Sequence, residues 1–297
     1  MLSKRISIHA RFYYGLRFYV HQSRWLLRCA QSLRAYLVLG PLREFIVRYY
    51  QKYGHNDPLV TDAFHIFPDV DVAIVADTVE KLGCSPVGIL PEEFVSDILE
   101  YCANDRRVSY WNPHIYCEAI RSICQTSDVV QIARRYLGAE PILWLTRLKW
   151  TFPLSDDMSD MQPSLHEEPA EYDPHGFHFD ANDFRSLTFF VYLTDIDDLD
   201  SGAHVVIEGT HKYKALKEIR KKIIDDKLAH MKYNDRIKVI LGKKGTVFAE
   251  ESSAYHKVAV CKTRRLILMI YYVLARKIPP ERPVTSHRPA RPVPPAD

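Results

Sequence analysis

The sequence predicts an α+β fold, a β-sandwich or jelly roll buttressed by helices on its N-terminal side. Three observations predict it. Apolar residues recur at helical spacing in the first half, short β-rich runs replace them after Pro141, and those runs follow one another without the helices a parallel sheet needs. The 297 residues are 47% hydrophobic and 26% charged, enough for a sizeable core and unlike a collagen-like, low-complexity or wholly disordered polymer.

From Met1 to Arg43 there is no Asp or Glu, whereas Lys4, Arg5, Arg11, Arg17, Arg24, Arg28, Arg34 and Arg43 are interleaved with aromatics and leucines. Residues 1–56 therefore read as a basic, amphipathic helical arm. Its role stays open between docking on its own domain or a second copy, lying on a membrane surface, and organellar targeting. Residues 57–90 are short and mixed in pattern, with a break at Gly83. A helix then starts at Pro91, Glu92 and Glu93, with Phe94, Val95, Ile98, Leu99 and Cys102 as its apolar stripe. In a second helix Ser127 and Asp128 offer N-caps, Val129, Val130, Ile132, Ala133, Tyr136 and Leu137 form the stripe, and Gly138 is the stop.

Strands read at Ile142–Trp150, Ser186–Thr194, Ala203–Glu208, Arg236–Leu241, Gly245–Ala249, His256–Val260 and Arg265–Leu274, with one basic helix inserted at Tyr213–Met231. Leu154–Tyr172 is polar and acidic, as suits a lid, and the proline-rich residues 276–297 read as an extended or disordered tail. One domain is thus expected over 57–275, with helical support at 57–140 and the jelly roll at 141–275.

Six cysteines without CxxC spacing suggest neither a disulfide scaffold nor a zinc ribbon, and a reducing, cytoplasmic setting is expected, with surface association through the arm as an option. No apolar run approaches the length of a membrane span, and no secretory cleavage pattern is present. The net charge of +3 gives no argument for a nucleic-acid partner, and no glycine motif supports a nucleotide cofactor. The lysines and arginines of 212–232 read as a solvated helix face, or as an attractor for an anionic substrate or membrane.

The chemistry concentrates in His175-Gly-Phe-His178-Phe-Asp180. Residues i and i+2 of an extended chain share a face, so His178 and Asp180 can present an imidazole and a carboxylate to one point. A non-haem Fe(II) centre takes two histidines and one carboxylate on one octahedral face. The third ligand has four candidates downstream, His204, His211, His230 and His256. His256 is the best placed, because it follows a strand and an acidic turn and precedes Arg265 by nine residues. A guanidinium there suits a dicarboxylate. Among the others, His175 reads as an entrance residue, His211 as structural, and His204 as packing or substrate contact. Tyr110, Trp111 and Tyr116 read as core aromatics, with a substrate entrance as the alternative.

These residues resemble the phytanoyl-CoA dioxygenase-like family of Fe(II)/2-oxoglutarate-dependent oxygenases. The matching pieces are HFD at His178–Asp180, YLTDID at Tyr192–Asp197, SGAHVVIEGTHK at Ser201–Lys212, GTVFAEE at Gly245–Glu251 and HKVAVCKTRRLIL at His256–Leu268, spanning most of residues 142–275. Val258 and Cys261-Lys-Thr depart from the family's glycine and proline-rich turn before the arginine. The resemblance implies a double-stranded β-helix, with His178, Asp180 and His256 as iron ligands and Arg265 gripping the far carboxylate of 2-oxoglutarate. Arg264 is the rival anchor, and Thr188 is expected to add a hydroxyl to the same carboxylate. The presence of Asp180 argues against the halogenating variant.

The activity so implied is hydroxylation of an aliphatic carbon in a small-molecule or lipid-like substrate, anionic ones included, using Fe(II) with 2-oxoglutarate as co-substrate. Oligomeric state is left open. A cupin-like metalloprotein with a different reaction, and a non-catalytic jelly-roll module that binds a membrane or partner through its arm, are the alternatives.

Overall fold

The computed structural model describes residues 39–153 and 176–275, apart from positions 55, 60, 62, 63, 213 and 222, together with Leu33 and Tyr36. Most of the expected arm, the acidic segment with His175, and the proline-rich tail lie outside the described residues.

Helix α1 (Arg43–Tyr53) is built into the domain instead of standing off as part of an arm. Arg43 is buried, its Nε donating to Phe184 O at 2.7 Å, its Nη1 to His211 O at 2.6 Å, and its Nη2 lying 3.3 Å from Glu251 Oε2. The mixed stretch before Pro91 contains a full helix, α2 (Val72–Leu82). Asp71 caps it by accepting from Ala73 N and Ile74 N, and Gly83 ends it at φ +90, a left-handed turn that glycine adopts without steric cost. The signals were ordinary, but Val72, Val75, Ala76 and Val79 are too few and too short to separate from a buried strand by pattern. Strand β1 (Cys84–Ile89), α3 (Glu92–Asn104), β2 (Ser109–Trp111), α4 (Glu118–Gln125) and α5 (Ser127–Leu137) follow. The N-cap position of α5 falls to Thr126, and Asp128 is no cap: fully buried, it accepts from Phe67 N and Thr126 Oγ1 and ties the loop before α2 to the helix.

The strands that follow are β3 (Ile142–Thr151), β4 (Phe177–His178), β5 (Ser186–Tyr192), β6 (His204–Ile207), β7 (Ile223–Ile224), β8 (Ile237–Ile240), β9 (Thr246–Glu250), β10 (Tyr255–Val258) and β11 (Arg265–Val273). They form two antiparallel sheets, one ordered β1-β9-β5-β11-β3-β2 and the other β7-β4-β10-β6-β8. The chain crosses between them repeatedly: β3, β5, β9 and β11 lie in the first sheet, and β4, β6, β8 and β10 in the second. The basic insertion is not one helix. It is α6 (Leu216–Lys221), β7, which extends the second sheet by pairing with β4, and α7 (Asp226–Tyr233). Lys212, Lys217, Lys221, Lys227 and Lys232 are exposed, but Lys214 is buried over the rings of Phe179 and Tyr255, and burial pushes its ammonium pKa down to about 7.

Pleating sorts the first sheet into two faces. Leu187, Phe189, Val191, Leu266, Leu268, Ile270 and Tyr272 pack with Val79, Val95, Ile98 and Ile132 from the helices. The intervening residues Phe190, Tyr192, Phe248 and Ile267 pack with Ala203 and Ile196 between the sheets. Both faces of β5 and β11 are therefore covered, which explains their nearly unbroken apolar sequence. No helix among the described residues is long and apolar enough to cross a membrane.

Arg43→Met removes the cation paired with buried Glu251, leaving among the described residues the hydrogen bonds from Tyr136 Oη, Ser186 N and Ser186 Oγ. The expected loss is about 3–5 kcal/mol of unfolding free energy, measurable by denaturant titration; a loss below about 1 kcal/mol contradicts the role given to this contact.

Candidate active site

The site lies in the space between the two sheets. His178 on β4 and His256 on β10 are direct partners in the antiparallel ladder, so both side chains leave the second sheet toward the first. Their rings meet edge to face with centroids 4.5 Å apart. Each Nδ1 is tied to the carbonyl two residues earlier, His178 to Gly176 O at 2.9 Å and His256 to Ala254 O at 3.0 Å. These bonds place the proton on Nδ1 and make Nε2 the lone-pair nitrogen, the arrangement a metal-bound imidazole needs. Burial pushes the His256 pKa down to about 3, against the pull of Glu250, so its ring is neutral at physiological pH. Asp180 follows by two residues, its backbone N held by Ser252 O at 2.8 Å. Its Oδ2 stands 3.9 Å from His256 Nε2, with 35% of its side chain exposed.

The donor chemistry, two imidazoles and one carboxylate, fits a divalent iron-type ion. No group of three among the described residues is already closed to ligand spacing. Asp180 is the open corner, the most exposed of the three.

Deeper between the sheets stand His204, Tyr192 and Arg265. His204 on β6 is stacked on His256 with centroids 5.5 Å apart, and its backbone N donates to Tyr192 Oη at 3.0 Å. Arg265 is 1% exposed, its guanidinium 5.6 Å from the Tyr192 ring, and its Nε has no hydrogen-bond partner. Among the described residues no carboxylate pairs with it, so this buried cation is short of an anion. Gly202, at φ +79, makes the room: a Cβ there would sit 3.1 Å from Arg265 Cδ and 3.0 Å from Cys261 Cβ. Arg264 instead is exposed, with its guanidinium 5.6 Å over the Phe152 ring.

Thr188 is not brought to Arg265. It pairs with Tyr271, six residues along β11 from the arginine, on the order of 20 Å at about 3.4 Å per residue, and its hydroxyl bonds Ser252 Oγ at 2.8 Å. The register error arises because sequence shows that a residue is on a strand and not which end of it meets the arginine. Tyr192 occupies the position that Thr188 was expected to fill.

His211 is buried away from the pair, its Nε2 3.1 Å from Glu80 O and its pKa pushed down to about 4 by burial, and His230 is exposed on α7. Tyr110 belongs to the helix-side core, Tyr116 is exposed, and Trp111 faces inward under the Arg147 guanidinium at 4.5 Å.

Sequence reading missed Glu250. It is 0% exposed, its Oε2 is 2.7 Å from His204 Nε2, and its Oε1 is 3.3 Å from His256 Nδ1. Burial raises its pKa to about 7. Alternation along β9 puts Thr246, Phe248 and Glu250 on one face, a signal present in the sequence that became informative once Phe248 was known to face the second sheet.

No protein-family model matches the chain, and no curated protein matches it in sequence. Solved structures match in fold. EctD from S. alaskensis, solved with 2-oxoglutarate and 5-hydroxyectoine, is similar at 17% identity and TM-score 0.50, over 80% of this chain and 90% of that one. The epimerase SnoN, in complex with Fe3+, alpha ketoglutarate and nogalamycin RO, is similar at 14% identity and TM-score 0.51, over 74% and 93%. HygX from Streptomyces hygroscopicus, with nickel and 2-oxoglutarate bound, is similar at 16% identity and TM-score 0.50, over 70% and 88%. The chain shares the fold of these proteins.

Arg265→Ala is expected to weaken 2-oxoglutarate binding, measured by calorimetry on the metal-loaded protein, at least tenfold more than Arg264→Ala. Gly202→Val should follow Arg265→Ala by displacing the arginine; the opposite ranking of the two arginines moves the anchor to Arg264.

Proposed function

We propose that this chain is an Fe(II)- and 2-oxoglutarate-dependent oxygenase, phytanoyl-CoA dioxygenase-like, that hydroxylates an aliphatic carbon of a small-molecule or lipid-like substrate. One observation carries the reading. Two buried imidazoles face each other across paired strands, with a carboxylate beside them, and a buried arginine short of an anion stands on the facing sheet. The strand alternation between sheets supports a double-stranded β-helix, and fold neighbours crystallised with metal and 2-oxoglutarate support the cofactor pair.

His178, Asp180 and His256 would hold the iron. With 2-oxoglutarate and dioxygen it would supply oxidative decarboxylation, with succinate and carbon dioxide as co-products and one oxygen atom each for succinate and the substrate C–H bond. The chain's own residues do the rest. Arg265, with Tyr192 at its side, holds the far carboxylate and fixes which end of the keto acid reaches His178 and His256. Phe190 and Phe248, stacked at 5.0 Å, wall the path between arginine and histidines and exclude water. Of the three ligand residues, Asp180 lies nearest solvent.

The surface of α1 supports a second feature, contact with an anionic lipid surface. Leu42, Phe45, Tyr49 and Tyr53 form an exposed stripe at spacings of three, four and four residues, with Phe45 74% exposed. Arg48 and Lys52 flank it, and eight basic residues without an acidic one precede Glu44 in the sequence.

Anaerobic titration of the apo-protein with Fe(II) and then 2-oxoglutarate tests the enzyme reading. A weak visible charge-transfer band should appear, and His256→Ala should abolish it; a folded protein without the band returns the chain to a non-catalytic module. Sedimentation with phosphatidylglycerol-containing vesicles, absent with phosphatidylcholine alone and lost in Phe45→Glu, is expected for the lipid contact. Equal sedimentation with both vesicles, or none, contradicts it.

A further inference from the structure

Glu250 is not accounted for by folding or by ligand supply. Its carboxylate is fully buried in the inner face of β9, and Oε1 has no hydrogen-bond partner although it lies 3.3 Å from Nδ1 of His256. A buried acceptor left unpaired costs stability, so an apolar residue at this position would serve the core better. The other oxygen, Oε2, is held at 2.7 Å by His204 Nε2, which fixes the carboxylate in place. His204 is itself clamped between the rings of Phe190 at 4.8 Å and Phe248 at 5.2 Å. The two ligand histidines are otherwise alike, each with Nδ1 on the carbonyl two residues back. Glu250 Oε1 stands beside Nδ1 of His256.

We propose that Glu250, anchored by His204, is a positioning residue for the metal ligand His256. This rests on the reading of His178, Asp180 and His256 as the metal site. A small turn of the His256 ring moves its Nδ1 proton from Ala254 O toward Glu250 Oε1. The carboxylate then orients Nε2 toward Asp180 and makes this imidazole a stronger electron donor. His204 determines where that carboxylate stands, and its ring stacks on that of His256 with centroids 5.5 Å apart.

The test uses the full-length apo-protein with Co(II) as a redox-inert probe and the Fe(II)·2-oxoglutarate band as a second readout. Glu250→Leu should weaken Co(II) binding by about 10–100-fold and shift the visible band, while His178→Ala abolishes both. Glu250→Leu leaves His204 without its partner and can lower stability for that reason alone. The double variant Glu250→Leu/His204→Leu removes the pair as a unit and should regain thermal stability without regaining metal affinity or band position. Glu250→Gln, which keeps shape and loses charge, should fall between wild type and Glu250→Leu. Wild-type affinity and band in the stable double variant overturns the proposal and makes the pair a packing feature. Absence of Co(II) binding in the wild-type protein overturns the metal-site reading instead, so the two failures are distinct.

Discussion

The ladder partnership of His178 and His256 is the constraint on which the rest of the structure depends. β4 has two residues and β10 has four, so a single pair of facing residues carries this register. A slip of one residue would turn one imidazole to the outer face of the sheet, toward Phe177 and Tyr255 and away from Asp180. Pairing with β6 protects against that slip. Four consecutive pairs from Tyr255↔Ile207 to Val258↔His204 lock β10, and β7 holds β4 from its other side. The basic insertion therefore has a structural purpose: its two-residue strand braces the strand that carries His178.

A second constraint is charge held between apolar layers. The helices and the outer face of the first sheet bury an almost wholly hydrophobic layer, whereas the facing inner surfaces hold His178, His204, Glu250, His256 and Arg265. Such groups are expensive to bury unless something pairs with them. Glu250 and His204 pair with each other, burial keeps His256 neutral, and Arg265 is short of an anion. The interior reads as a graded path, from the partly exposed carboxylate of Asp180 to the fully buried guanidinium of Arg265. A dicarboxylate bridging metal and arginine would satisfy both ends of it.

Much of this was legible in the sequence, and the exceptions share a cause. Strands β3, β5 and β11 were readable because they are long and rich in branched and aromatic residues, and HxD was readable because the two-residue period of a strand is a local rule. His256 and Arg265 were readable through their order and spacing in motifs that resemble a known family. The choice of Arg265 over Arg264 was what the family resemblance implied, from its arginine at the start of the last strand; Arg265 is buried and Arg264 exposed. Thr188 and Glu250 were misjudged or missed because each role depends on cross-strand register, which no single strand encodes. Helix α2 and the inclusion of α1 in the domain were missed for a related reason: Arg43 looks like one cation among eight until Glu251, His211 and Phe184 close around it.

The central claim is that His178, Asp180 and His256 bind one metal ion whose keto-acid partner ends at Arg265. The most direct measurement is a crystal structure of the protein with Mn(II) and 2-oxoglutarate, with anomalous diffraction to locate the metal. The account predicts one anomalous peak bonded to Nε2 of both histidines and to the Asp180 carboxylate, with the distal carboxylate of 2-oxoglutarate on the Arg265 guanidinium. A metal held by Glu250 and His204, or a keto acid that leaves Arg265 untouched, would contradict it.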